Sequence, residues 1–175
     1  MPINLDSFKI NYKKWVEESL PDYRAGKMQE IIKKYPLVVS DDIPWTSYRG
    51  RPSKQTIALV TSGGLYLKHS QPAFDTESIH GDPSFREIPK TVRQEDIGIA
   101  HAHYDHSLAL QDINIIFPVH RFAELEKEGI IGRVPDTLYS FSYVNDVVTL
   151  VTKTLPDFIA RIKAAAVDVM LLVPV

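Results

Sequence analysis

The chain contains no cysteine among its 175 residues. That excludes disulfides, thiolate metal ligands and a cysteine nucleophile within these residues. It also has no run of eighteen apolar residues, and its first residues, MPINLDSFKINYKKW, lack the apolar core and small-residue cleavage site of a secretion signal. The expectation is a cytoplasmic protein with no membrane partner. An excess of positive charge is missing too: 20 basic residues face 22 acidic ones, for a net charge of -2, which offers no field for phosphates and argues against nucleic acid. No internal repeat or low-complexity tract is present.

What is present is enough apolar residue content, 44%, for one domain with a proper core. Leu5, Phe8, Ile10, Tyr12, Trp15, Val16 and Leu20 fall mostly at three- and four-residue spacing around a capping Asp6, which predicts an amphipathic helix ended at Pro21. A second helix is expected over Arg24 to Tyr35, stopped by Pro36. Prolines 36, 44 and 52, the adjacent Asp41 and Asp42, and the aromatics Trp45 and Tyr48 read as a linker. Residues 1–53 are thus expected to form a helical arm and linker, and 54–175 an α/β domain.

The domain opens with TIALVT, Thr56 to Thr61, a β-branched run followed by Ser62, Gly63 and Gly64. A long polar stretch, Lys68 to Thr91, reads as a functional loop containing GDPSFREIP. Further strands are expected at Asp96 to His103, Ile113 to Phe117, Tyr139 to Tyr143 and, as a run buried on both faces, Val169 to Val175. Helices are expected over Val119 to Glu128 and from Val144 or Asn145 to about Ala166. Strands alternating with helices predict a three-layer α/β sandwich with a mostly parallel, Rossmann- or flavodoxin-like sheet. Because the last apolar run has no covering helix after it, the chain is expected to be cut short.

Four of the six histidines, His101, His103, His106 and His120, fall within IAHAHYDHSLALQDINIIFPVHR, Ile99 to Arg121. The segment HAHYDH has the HxHxDH spacing of metallo-β-lactamase-fold hydrolases, in which His101, His103, Asp105 and His106 would ligate zinc. The downstream histidines of that ligand set are missing, since only His120 follows, so the metal reading stays an alternative and no metal is expected. A bland reading makes His101 and His103 polar strand ends bonded to backbone. Their place at a strand's C-terminal end, beside Tyr104 and Asp105, favours a ligand pocket instead. Gly63 and Gly64 fit a tight turn as well as a ligand contact. Arg86, on the stiffened loop, is the candidate fork for a substrate carboxylate. A non-catalytic binding domain is a third reading.

Taken in order, ALVTSGGLYLK (Ala58 to Lys68), GDPSFREIP (Gly81 to Pro89), AHAHYDHS (Ala100 to Ser107), DINIIFPVHR (Asp112 to Arg121) and KEGIIG (Lys127 to Gly132) resemble the selenoprotein B family of glycine, sarcosine and betaine reductases, including the selenocysteine subunit of D-proline reductase. Two positions depart from its pattern: His120 stands where an aspartate is usual, and His106 where a small or polar residue is. The resemblance implies a selenocysteine or cysteine directly after the strand matching VDVMLLVPV, whose selenolate or thiolate attacks carbon and expels an amine. It also implies that a partner subunit's pyruvoyl group activates the substrate as a Schiff base. No cofactor is expected in this chain itself.

By the same resemblance the partners are other reductase subunits and a small amino acid or amine substrate, in a homo-oligomer. The substrate-binding candidates are Gly63, Gly64, Arg86, His101, His103, Tyr104, Asp105 and Arg121, with His101 or His103 as an imidazolium that keeps the nucleophile anionic. The nucleophile itself is expected beyond Val175, through a UGA selenocysteine codon read as a stop. This chain alone is then expected to be inactive.

Overall fold

In the computed structural model, residues 5–38 and 45–175 are described. Their contacts divide the chain into two compact units, Met1–Tyr48 and Arg49–Val175. Asp41, Asp42 and Pro44 of the expected linker lie outside the described residues.

The first unit is a pair of helices, α1 (Leu5–Arg24) and α2 (Met28–Lys34). Helix α1 buries Phe8, Tyr12 and Trp15 on one stripe, and Phe8 stacks on Tyr12 and Tyr12 on Trp15. The Trp15 indole N–H donates to the Ile31 carbonyl of α2 across 3.1 Å. The helix does not stop at Pro21. A proline lacks only its own donor; its carbonyl still accepts, and the amides of Ala25 and Lys27 close the final turn on the carbonyls of Pro21 and Asp22. Gly26, at φ +71°, then reverses the chain, which is why α2 starts at Met28 rather than Arg24.

The second unit is α/β. Its main sheet has the order β3-β5-β1-β6, built from β1 (Ile57–Thr61), β3 (Arg86–Pro89), β5 (Thr137–Ser140) and β6 (Val169–Val173). Strand β1 pairs in parallel with both β5 and β6, and β3 runs antiparallel to β5. A separate antiparallel pair joins β2 (Leu65–Leu67) to β4 (Ile97–Ile99). The core is sealed by Leu59, Leu65, Ile88, Ile113, Phe117 and Leu138, all fully buried. Among the described residues no helix is long and apolar enough to cross a membrane.

Several boundaries differ from the sequence reading. The stretch 68–91 contains β3, whose Glu87 and Ile88 register against Tyr139 and Leu138. The strand expected over Asp96 to His103 is only Ile97–Ile99, and it pairs with β2 outside the main sheet. Ile113 to Phe117 is no strand: Asp112 accepts the Asn114 amide at 3.0 Å, and the chain closes a 3₁₀ turn, Ile113–Ile115. Local side-chain capping there wins over β-propensity, and both Ile113 and Phe117 are buried by the turn. Helix α3 (Ser107–Gln111) precedes it and α4 (Val119–Lys127) follows.

The strand expected over Tyr139 to Tyr143 is β5, which ends at Ser140. The long helix after it begins at Val147, where Asp146 caps the Thr149 amide at 3.0 Å. Helix α5 (Val147–Thr149) passes through a π turn, Leu150–Thr154, into α6 (Leu155–Ala164). Pro156 sits at the junction: its ring cannot follow a regular α turn and it offers no donor, and the wider turn accommodates both defects. Strand β6 is not buried on both faces. Among the described residues it pairs with β1 alone, and Leu172 is 62% exposed.

Candidate functional site

The site is assembled at the C-terminal ends of β1 and β5. Past Thr61 the chain turns through Ser62, Gly63 and Gly64. The Thr61 hydroxyl accepts the Gly63 amide at 3.0 Å, the Phe141 carbonyl accepts the Gly64 amide at 2.8 Å, and the Gly64 carbonyl accepts the Ala100 amide at 2.8 Å. Gly64 has φ +71°, and a Cβ there would lie 2.3 Å from the Ala100 carbonyl oxygen. Glycine is therefore required by the close backbone approach. The same approach carries the chain from β4 into the loop His101 to His106, and the Ser142 hydroxyl ties that loop down by donating to Ala100 O at 3.0 Å.

Within the loop each side chain has a defined task. His101 is 7% exposed, and its Nδ1 accepts the backbone amide of His103 at 3.2 Å. Its neutral form therefore carries the proton on Nε2. Burial, then the charges of His103 and His106, lower its pKa to about 4. The Tyr104 hydroxyl donates to the Gly63 carbonyl at 2.9 Å, and burial pushes its pKa up to about 12. The rings of Tyr104 and His101 lie 5.0 Å apart, and His103 packs edge-on against Tyr143 at 4.2 Å. His103 also has its pKa lowered by burial. His106 donates through Nε2 to the His101 carbonyl at 2.7 Å.

Asp105 turns away from the rings and caps α3. It accepts from the Ser107 amide at 2.9 Å and from the Ser107 hydroxyl at 3.0 Å, and these bonds lower its pKa, the backbone one most. Among the described residues no three His, Asp or Glu side chains converge as a metal site. The HxHxDH spacing places its residues after a strand but spends them on capping and backbone bonds. An imidazolium at His101 is likewise opposed by its surroundings, and the ring is neutral at pH 7.

Gly63, Gly64, His101, His103, Tyr104 and Asp105 thus share one loop cluster. Arg86 and Arg121 do not join it through any bond they make. The five guanidinium N–H groups of Arg86 serve the carbonyls of Pro72, Ala73 and Phe85, the Ser84 hydroxyl and the Asp82 carboxylate. Phe74 covers its face at 4.1 Å. Burial opposes the Asp82 charge, but bonds from the Ser84 hydroxyl and amide, the Asp75 amide and the Arg86 charge outweigh it and lower its pKa. Arg86 borders a cavity of about 490 Å³ shared with Glu87, Lys153, Asp157 and Arg161. Arg121 is exposed on α4 and pairs with Glu124 at 2.8 Å. His120 bridges Asn114 and the Val92 carbonyl.

The sequence reading missed Ser142 and Tyr143, which hold the loop from the β5 side. Their signal was weak, a serine and a tyrosine just past an apolar run. A second opening, about 400 Å³ and largely apolar, lies at the strand ends between Ser62, Phe141, Ser142, Phe158, Met170 and Leu172.

Residues 27–174 match the model of the glycine/sarcosine/betaine reductase selenoprotein B family. The chain is 31% identical over 129 residues to D-proline reductase subunit gamma of Acetoanaerobium sticklandii, covering 73% of this chain and 52% of that protein. It is 30% identical over 148 residues to the glycine reductase complex component B subunit gamma of Carboxydothermus hydrogenoformans, covering 83% and 34%. A sarcosine reductase complex component B subunit beta of Peptoclostridium acidaminophilum is 28% identical over 114 residues, covering 64% and 26%. The chain therefore spans about half of the first relative and about a third of the second. No solved structure matches it.

Proposed function

Because the chain belongs to the glycine/sarcosine/betaine reductase selenoprotein B family, we propose that it forms the substrate-binding part of a reductase subunit that cleaves a C–N bond in a small amino acid or amine derivative. A selenolate or thiolate delivered after β6 attacks the carbon bearing nitrogen, and the amine leaves with the bonding pair. A dithiol supplies the two electrons of the net reduction: one thiolate takes the selenium or sulfur, the bond to carbon breaks with its pair going to carbon, which is protonated, and the second thiol closes a disulfide and frees the nucleophile. Other subunits of a reductase complex are its partners, as the relatives' names as complex components imply.

One observation carries this reading: β6 runs parallel to β1 in unbroken register from Ile57↔Val169 to Thr61↔Val173. The Ser62 amide then donates to the Val173 carbonyl at 3.1 Å, and the Val175 amide to the Ser62 hydroxyl at 3.0 Å. Whatever follows β6 leaves the sheet beside the Ser62 to Gly64 turn. In open α/β sheets this edge is where ligands meet the chain.

The polar groups of the loop suit an anionic or carboxylate-bearing guest. Asp105 is committed to Ser107, and with Nδ1 accepting the His103 amide the neutral His101 ring presents Nε2–H as a donor. The partner's pyruvoyl group, when present, supplies a carbonyl that withdraws electrons from the substrate nitrogen. This chain's part is to hold the carbon skeleton of the substrate.

The test is to express the product encoded through and past the Val175 codon in selenium-supplied cells, combine it with the other reductase subunits, and measure amine release or ring opening. Glycine, sarcosine, betaine and D-proline are offered with a dithiol. Selenium-dependent turnover of one of them is expected. Turnover of none overturns the proposal.

A further inference from the structure

We infer that His101 is a locked neutral donor whose Nε2–H receives the carboxylate of the substrate. The inference rests on the reductase reading for the identity of the substrate and on geometry for the role of the ring.

His101 is more than nine-tenths buried, yet among the described residues only one of its ring nitrogens has a partner. Nδ1 is occupied by the His103 amide, which fixes the tautomer by main-chain geometry rather than by a neighbouring acid. The ring plane is held between Tyr104, His103 and Tyr143 at 5.0, 5.8 and 6.4 Å. The residue's carbonyl is held by His106. Nε2 alone is left. Among the described residues the Ser19 hydroxyl is the only sealed side-chain polar atom without a partner, so Nε2 keeps access to solvent. A buried donor fixed on every side but one, and open on that side, awaits an acceptor.

Of the two charged groups an amino-acid substrate offers, the carboxylate is the one that can accept from Nε2–H. An ammonium offers donors alone and has nothing to give it, whereas a carboxylate oxygen completes the bond. Placement separates the substrate from the nucleophile. The loop is anchored from the β5 side by Ser142, and β6 lies on the other side of β1. Two strand spacings, about 10 Å, part those edges. A carboxylate held at His101 leaves the rest of a small amino acid over the Ser62 to Gly64 turn, and the segment that follows β6 brings the nucleophile across to it.

The test is long-range ¹H–¹⁵N NMR of the full chain labelled in histidine, with glycine, acetate and methylamine as probes. The expected result is a proton on His101 Nε2 at neutral pH, with glycine and acetate moving that resonance and methylamine leaving it still. His101→Gln, which keeps an N–H near the same place, holds glycine within about threefold, while His101→Ala weakens it at least about tenfold. A proton on Nδ1, silence toward both carboxylates, or an equal response to methylamine overturns the inference. The tautomer and probe arms need no variant to fold. A His101 that answers carboxylates in a protein that releases no amine overturns the reductase reading alone; amine release with a His101 indifferent to carboxylates overturns only this assignment.

Discussion

The hydroxyl of Tyr104 donates to the carbonyl of Gly63 across 2.9 Å, so the histidine loop and the glycine turn are held by one bond between side chain and main chain. Tyr104→Phe keeps the ring contacts with His101 and His106 and removes only that bond. A loss of about 1 kcal/mol in urea unfolding is expected, with faster amide exchange across residues 101–106. Unchanged stability and exchange would show that the bond holds nothing.

Gly64 allows no side chain. At φ +71°, with the Ala100 oxygen where a Cβ would stand, Gly64→Ala is expected to lower stability by about 2–4 kcal/mol. Gly26→Ala, at the same φ but with nothing within 4 Å, serves as the control and should cost about 1 kcal/mol. Equal effects at the two sites would remove the close approach as a cause.

His101 makes stability depend on pH in a defined direction. Burial, followed by the charges of His103 and His106, lowers its pKa from 6.5 to about 4. Between those values the unfolded chain binds the extra proton, so the stabilisation is complete above pH 6.5 and is lost as pH falls toward 4. With solvent screening allowed for, the loss is on the order of 1–2 kcal/mol, and His103, shifted the same way, adds to it. Denaturation midpoints measured from pH 7.5 to 4 should fall in the unaltered chain and flatten in His101→Gln.

Arg86 holds five acceptors with one rigid fork. Arg86→Lys keeps the charge but cannot reach three backbone carbonyls, a serine and an aspartate together, and should cost about 2–3 kcal/mol. Limited proteolysis should then cut first between residues 71 and 86. A variant as stable and as resistant as the parent would reopen the guanidinium as a free ligand for substrate.

These residues mark what the sequence makes legible. The alternation of TIALVT and VMLLV with helical stretches is enough to specify an α/β domain with parallel central pairs, because period and β-branching act locally. The motifs from Ala58 to Gly132, read in order, are enough to point to the family whose model matches residues 27–174. The destination of each polar side chain is not legible. Asp105 reads as a ligand and serves as a helix cap; Arg86 reads as a fork for substrate and is filled by its own loop. Both outcomes are set by contacts a residue or two away in turn geometry, or a dozen away across the loop, which spacing alone does not encode. The apolar run Ile113 to Phe117 failed as a strand for a similar reason, since one aspartate at its start sufficed to curl it.

The partners of β1 arrive at very different times. The Thr56 amide is bonded to the Asp168 carboxylate, 112 positions away, and the whole β1–β6 ladder begins at that clasp. On a ribosome the first strand must wait through the synthesis of more than a hundred further residues, the 112 positions from Thr56 to Asp168, before β6 emerges, and contacts this remote in sequence make for slow folding. During that interval the strand has one open flank, and a chaperone that shields short apolar segments is what such a nascent chain would need.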